Sequence, residues 1–401
     1  MKKLLYIWLI FVANMNLMSQ LLPENNPNWQ LVFNDEFDGP PLDITNKWRD
    51  RALDWHIGKW KVPISGYPNP IIYVDQKTML SENFYFDSDI YADYVVLRAL
   101  KKDPPVSFYV EDQTFTPSQW SWVDFYYTTP AWLCSKKTWK YGYFESSFRL
   151  TYVDTTQYTC QGLWPAFWTV GCNAFEIDIA EFQHYYYPNP DPPPTLLKNR
   201  TPTTWTHIHS DNGSVSGENI KTHINSGNFH KFAAKWSPEK VDFYIDDQYS
   251  QSLDLSGTGY SVSDILPQHI ILDFGILYGD VPDATTVFPF DYQIDWVRLY
   301  QLNQRCDDDI EICSFDPSTF DFSLYKSINI GDGSCSLSLS SQNPIEMLAI
   351  DYFQINKGVT IPPGTELLLD FEQCQPDESE REEDFEDIKN TIFLRDYLRN
   401  Q

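Results

Sequence analysis

Between about residues 29 and 300 the chain holds no sustained helical period. It runs in short stretches of alternating apolar and polar residues, broken by Gly, Pro, Asn and Asp. Tyr143 to Leu150, Phe175 to Phe182, Phe232 to Trp236, Val241 to Ile245 and Ile270 to Phe274 are examples. Strand side chains point alternately to two faces, so many short runs with frequent turn signals predict an all-β sandwich or jelly roll. Two stretches depart from the rhythm: residues 61–130 and the Pro-rich segment 185–204. Both are expected to be long surface loops, which on the concave side of such a fold build substrate subsites.

The 401 residues can hold one large all-β domain and a small companion. Residues 1–19 read as a secretory signal: Lys2 and Lys3, an apolar run from Leu4 to Ala13, then small or polar residues. No second stretch is long and apolar enough to span a bilayer as a helix. Lys plus Arg number 29 against 56 Asp plus Glu, a net charge of −27 that disfavours nucleic acid and anionic membranes as partners. A neutral partner fits better, and 14 Trp exceed what a core of this size needs. Sugar rings stack on Trp and Tyr, so the excess suggests a carbohydrate cleft, although a large sandwich core uses most of these rings. Seven Cys in an exported chain permit disulfides and leave at least one thiol outside an intramolecular pair. None has CxxC spacing, which argues against zinc.

Glu176-Ile177-Asp178-Ile179-Ala180-Glu181 places three carboxylates in one alternating segment. On a regular strand Glu176 and Asp178 share a face and Glu181 points the other way. A one-residue β-bulge near Ile179 or Ala180 brings Glu181 back. Two long Glu side chains then flank a short Asp and can converge to the roughly 5 Å that a retaining glycosidase uses. The alternative is a polar edge strand with solvated acids.

The surroundings of this segment are Lys140-Tyr141-Gly142-Tyr143-Phe144-Glu145, Gly162-Leu163-Trp164-Pro165-Ala166-Phe167-Trp168, Phe229-His230-Lys231-Phe232-Ala233 and Ile294-Asp295-Trp296-Val297-Arg298. With Trp29 to Phe33 and Asp35 to Gly39 near the start, this ordered set resembles glycoside hydrolase family 16, the laminarinase, agarase and carrageenase family. The resemblance covers roughly residues 25–303 and implies a jelly roll with a concave substrate cleft. It implies Glu176 as nucleophile, Glu181 as acid/base and Asp178 as assistant. Trp164 and Trp168 correspond to cleft-lining positions, with a core role as the alternative. His207 and His209 match the family's His-bearing strand; His209 is the preferred sugar or acid/base contact, and a structural His is the alternative. Glu36 and Asp295 match positions that in many relatives hold a structural calcium, a hard cation suited to oxygen ligands. No cofactor is expected for catalysis.

The expected division is a signal at 1–19, a catalytic jelly roll at 25–303, an acidic linker at 304–318 and a small β-rich module at 319–401 with an acidic tail. Truncation after about residue 303 is expected to leave a folded catalytic domain. The function expected is that of a secreted, endo-acting retaining hydrolase, acting as a monomer on a β-linked polysaccharide. A β-1,3-glucan is the first substrate choice and a galactan such as agarose or carrageenan the second, because Asn69 to Tyr73, Phe182 to Tyr185 and Ile271 to Gly275 depart from the laminarinase pattern. A transglycosylase uses the same carboxylates. A non-catalytic binding protein typically loses both Glu residues, which are present here.

Overall fold

The computed structural model describes residues 22–48, 71–74, 228–258 and 265–276, and, with short breaks, 83–112, 119–150, 162–183, 203–216 and 282–371. The segments 1–19 and 377–387 and nearly all of 185–204 lie outside the described residues. Two sheets form a jelly-roll sandwich. The first has six strands in the order Gly213–Ser216, Thr203–Ser210, Glu176–Gln183, Leu163–Val170, His269–Ile276 and Leu133–Cys134. The second has ten strands, with Gly142–Leu150 and Phe290–Leu302 at its centre and Trp29–Asp35 paired to the latter. No α-helix occurs among the described residues.

The alternation seen in the sequence assigns the faces. In Gly142–Leu150, Phe144, Phe148 and Leu150 enter the core, while the intervening Tyr143 belongs to a second apolar cluster on the outer face. The Phe148 ring stacks on Phe232 at 4.5 Å and meets Tyr292 edge-on at 4.9 Å. Trp48, Trp139 and Trp236 are fully buried, so a good part of the aromatic excess is core, as expected. Each such ring contributes roughly 2–3 kcal/mol by leaving water.

The expectation of a loop over 61–130 is corrected in its second half. Phe84–Ser88, Asp93–Asp112 and Gln119–Pro130 are strands of the ten-stranded sheet, and Ile71–Val74 pairs with the last of them. The pairing register slips between Lys101 and Val106, where Asp103-Pro104-Pro105 interrupts the apolar alternation. Proline donates no ladder hydrogen bond, and the charged run beside it mimics a loop.

Beyond residue 303 the chain changes pairing. Gln304–Ile312, Leu324–Ile330, Ile345–Ile355 and Leu367–Phe371 form a parallel four-stranded sheet around its own apolar cluster. The first part of the expected linker is therefore an edge strand; its acids Asp307, Asp308 and Glu311 are exposed, which is why it reads as a linker. Cys313 and Cys335 form a disulfide, and Cys306 is also disulfide-bonded. This sheet is not loosely tethered. Leu324 and Leu348 pack with Trp29, Tyr143, Tyr300 and Leu302 on the outer face of the ten-stranded sheet. Buried Glu346 accepts hydrogen bonds from Asn26 and Asn28.

Candidate active site

The strand Glu176–Gln183 lies between Leu163–Val170 and Thr203–Ser210. Against the first neighbour, Ala166 pairs with Glu181, Phe167 with Ala180 and Trp168 with Asp178, so Ile179 has no partner of its own. The second neighbour slips at the same place, with Trp205 opposite Glu181 and His207 opposite Asp178. This is the one-residue bulge that the carboxylate spacing requires. Ile177, Ile179, Ala180 and Phe182 belong to the core between the sheets. Glu176, Asp178 and Glu181 are turned to the opposite face.

All three carboxylates are buried. The Trp164 indole N–H donates to Glu181 Oε1 at 2.9 Å. Burial above all, then the charges of Asp178 and Glu176, push the Glu181 carboxyl well above its ordinary range, and the Trp164 hydrogen bond only partly offsets them. The protonated form of Glu181 is thereby favoured. Gln268 secures the entry to this strand: its Nε2 donates to the Phe175 carbonyl at 3.1 Å, and its Oε1 accepts from the Thr169 hydroxyl.

Trp164 and Trp168 lie on the carboxylate face, as their spacing predicts, but their rings are tied to different acids. Trp168 Nε1 donates to Asp273 Oδ1 at 2.9 Å. Trp164 is half-buried and Trp168 is buried. In backbone register His207 stands opposite Asp178 and His209 opposite Glu176.

Asp273 is the site residue that sequence reasoning missed. It occupies His269–Ile276 opposite Ala166, which on its other side opposes Glu181. Burial chiefly, against the pull of the Trp168 N–H and with added repulsion from Asp178 and Glu176, pushes its carboxyl up to about 8. The available signal was an acid inside the otherwise apolar run Ile270 to Phe274. That segment registered only as a departure from the family's Asn-bearing form.

Residues 106–298, which include the bulged carboxylate strand, match the family model Glycosyl hydrolases family 16. Over that segment the chain is similar to the family. The chain is 23% identical over 297 residues to a Beta-glucanase of Rhodothermus marinus, an alignment covering 69% of the chain and 86% of that protein. Among solved structures, the laminarinase catalytic domain of Thermotoga maritima is similar with a TM-score of 0.46 at 23% identity, covering 68% of this chain and 98% of that one. LamAcat of Zobellia galactanivorans gives a TM-score of 0.46 at 24% identity, with 68% and 98% covered.

Glu36 and Asp295 do not fit the calcium ion expected between them. Arg298 donates to both Glu36 oxygens, at 2.9 and 2.7 Å, and Asn34 donates to one of them at 3.3 Å. Asp295 accepts from the Ser147 hydroxyl at 3.2 Å. A guanidinium thus supplies the positive charge that a cation would bring to Glu36. Among the described residues no three His, Cys, Asp or Glu side chains gather in a metal-binding group.

Proposed function

We propose that this chain is an exported, endo-acting β-glucan hydrolase that works with retention of anomeric configuration. The observation that carries the reading is the bulge at Ile179, which puts Glu176, Asp178 and Glu181 on one face, with the proton affinity of Glu181 raised. Glu176 attacks the anomeric carbon as the Glu181 proton passes to the departing glycosidic oxygen, giving a glycosyl-enzyme and a shortened chain. With Glu176 esterified, one of the charges holding the proton on Glu181 is gone, so Glu181 now accepts a proton from water. The water oxygen then displaces Glu176. Asp178, between the two on the same strand, steadies Glu176, and His209, Trp164 and Trp168 are the sugar contacts in this reading.

A β-glucan is the substrate class favoured by the likeness to the Rhodothermus marinus Beta-glucanase. Export is supported by the leader-like residues 1–19 and by the Cys313–Cys335 disulfide, a bond typical of oxidising compartments. No helix among the described residues is long and apolar enough to cross a membrane. The test is a reducing-end assay on laminarin, mixed-linkage glucan, agarose, porphyran and carrageenan. Release from laminarin or mixed-linkage glucan is expected; turnover of the galactans alone would overturn the substrate, and none on any polymer the activity.

A further inference from the structure

Asp273 and Glu181 stand on strands either side of Leu163–Val170, in one row across the sheet, with only the Ala166 methyl between them. Along the same strand Trp164 and Trp168 flank Ala166, two residues away in each direction on the same face. The Trp164 N–H is bonded to Glu181 and the Trp168 N–H to Asp273, so each ring leans toward its own acid. Ala166 is thus bordered by two indoles and two carboxyls.

Asp273 makes one hydrogen bond among the described residues, through Oδ1, which leaves Oδ2 without a protein partner there. The titratable groups near it are Asp178, Glu176 and Glu181 on the bulged strand, His269 on its own strand and Tyr292 from the opposite sheet. The His269 Nδ1 is bonded to the Ser135 carbonyl at 2.8 Å, and none of these groups is a cation partner for Asp273. The Trp168 N–H uses one carboxyl oxygen, which leaves the second for another partner.

We propose that Asp273 is a further substrate-contacting residue, presenting Oδ2 to a hydroxyl of the sugar bound beside Glu181 while Oδ1 holds the Trp168 ring. Held in its neutral form, the acid donates from Oδ2 and accepts at Oδ1, so one side chain serves both partners. The inference rests on the glycan-hydrolase reading and specifies one contact within that site.

The test compares wild type with Asp273→Asn, Asp273→Leu, Trp168→Phe and the Asp273→Leu/Trp168→Phe double variant on the polymer that wild type cleaves best. Wild-type turnover is measured first; its absence on every polymer would remove the glycan reading itself. Given an active wild type, Asp273→Leu is expected to lose 10- to 100-fold in kcat/KM with its melting temperature kept. Asp273→Asn, which retains an acceptor and a donor, is expected to stay within about 5-fold. The double variant is expected to fall below Trp168→Phe alone. Equal loss in Asp273→Leu and Asp273→Asn, full activity in Asp273→Leu, or a double variant no worse than Trp168→Phe would each overturn the contact. Should Asp273→Leu not fold, Asp273→Ser, which withdraws the second oxygen, replaces it with the same expected loss and the same contrary outcome.

Discussion

Burial chiefly, and the neighbouring acids Asp178 and Glu176, raise the proton affinity of both Glu181 and Asp273. If the Glu176 charge helps to hold the Glu181 proton, then Glu176→Gln lowers the Glu181 pKa, an effect readable by carboxyl-carbon NMR even though turnover is lost. An unmoved Glu181 titration would mean that burial alone sets it. Asp273 gives a stability prediction of definite sign. An acid whose folded-state value is raised from 3.8 to about 8 binds more protons folded than unfolded across that window, so it lowers stability as pH rises. Asp273→Asn removes this penalty. The variant is expected to melt higher than wild type at pH 7 by about 2 °C or more, corresponding to at least about 1 kcal/mol, with the gain vanishing toward pH 4. A difference independent of pH would show that Asp273 is ionised in the folded protein.

At the scale of elements the site contains one extra residue in one strand. Deleting Ile179 removes the unpaired residue and leaves Glu176, Asp178 and Glu181 at successive alternate positions of a regular strand, so all three stay on one face and Phe182 stays in the core. The deletion variant is expected to fold and to keep measurable turnover, because the three carboxylates still share a face; complete loss of turnover in a folded deletion variant would show that the bulge also sets the distance between Glu176 and Glu181. A second constraint lies where Gly142–Leu150 begins. Gly142 has φ +127°, and a Cβ there would sit 2.6 Å from the Tyr300 carbonyl oxygen. Gly142→Ala is therefore expected to cost about 2–4 kcal/mol, by strain and by the displaced strand edge, measured by urea denaturation. The bulge was legible in the sequence because the parity of Glu176, Asp178 and Glu181 conflicts with a regular strand. Asp93–Asp112 and its partner Gln119–Pro130 were not, since Asp103-Pro104-Pro105 breaks the alternation while the backbone pairing resumes beyond it. Asp273 was hidden for another reason: its partner Trp168 is 105 positions away, and a period-two pattern records a face but no cross-strand neighbour.

For the whole molecule, the two apolar faces of the ten-stranded sheet have different partners. Its inner face packs on the six-stranded sheet, and its outer face receives Leu324 and Leu348 from the parallel sheet. The carboxylates lie on the far side of the sandwich from that contact. Ending the chain after residue 303 uncovers Tyr143, Tyr300 and Leu302 and leaves Asn26 and Asn28 without Glu346. The truncated protein is expected to melt lower and aggregate more readily, while the soluble fraction keeps kcat within a few-fold. Unchanged melting would show that the contact contributes little, and lost kcat in folded protein would show that the parallel sheet shapes the cleft. That dependence was not legible in the sequence, because the exposed acids of Gln304–Ile312 give a strand the composition of a linker. The decisive measurement concerns the bulged strand as a double-displacement device: proton NMR of the anomer first released from a β-glucan oligosaccharide, taken before mutarotation. The β anomer is predicted to appear first, and initial release of the α anomer would contradict the roles given to Glu176 and Glu181.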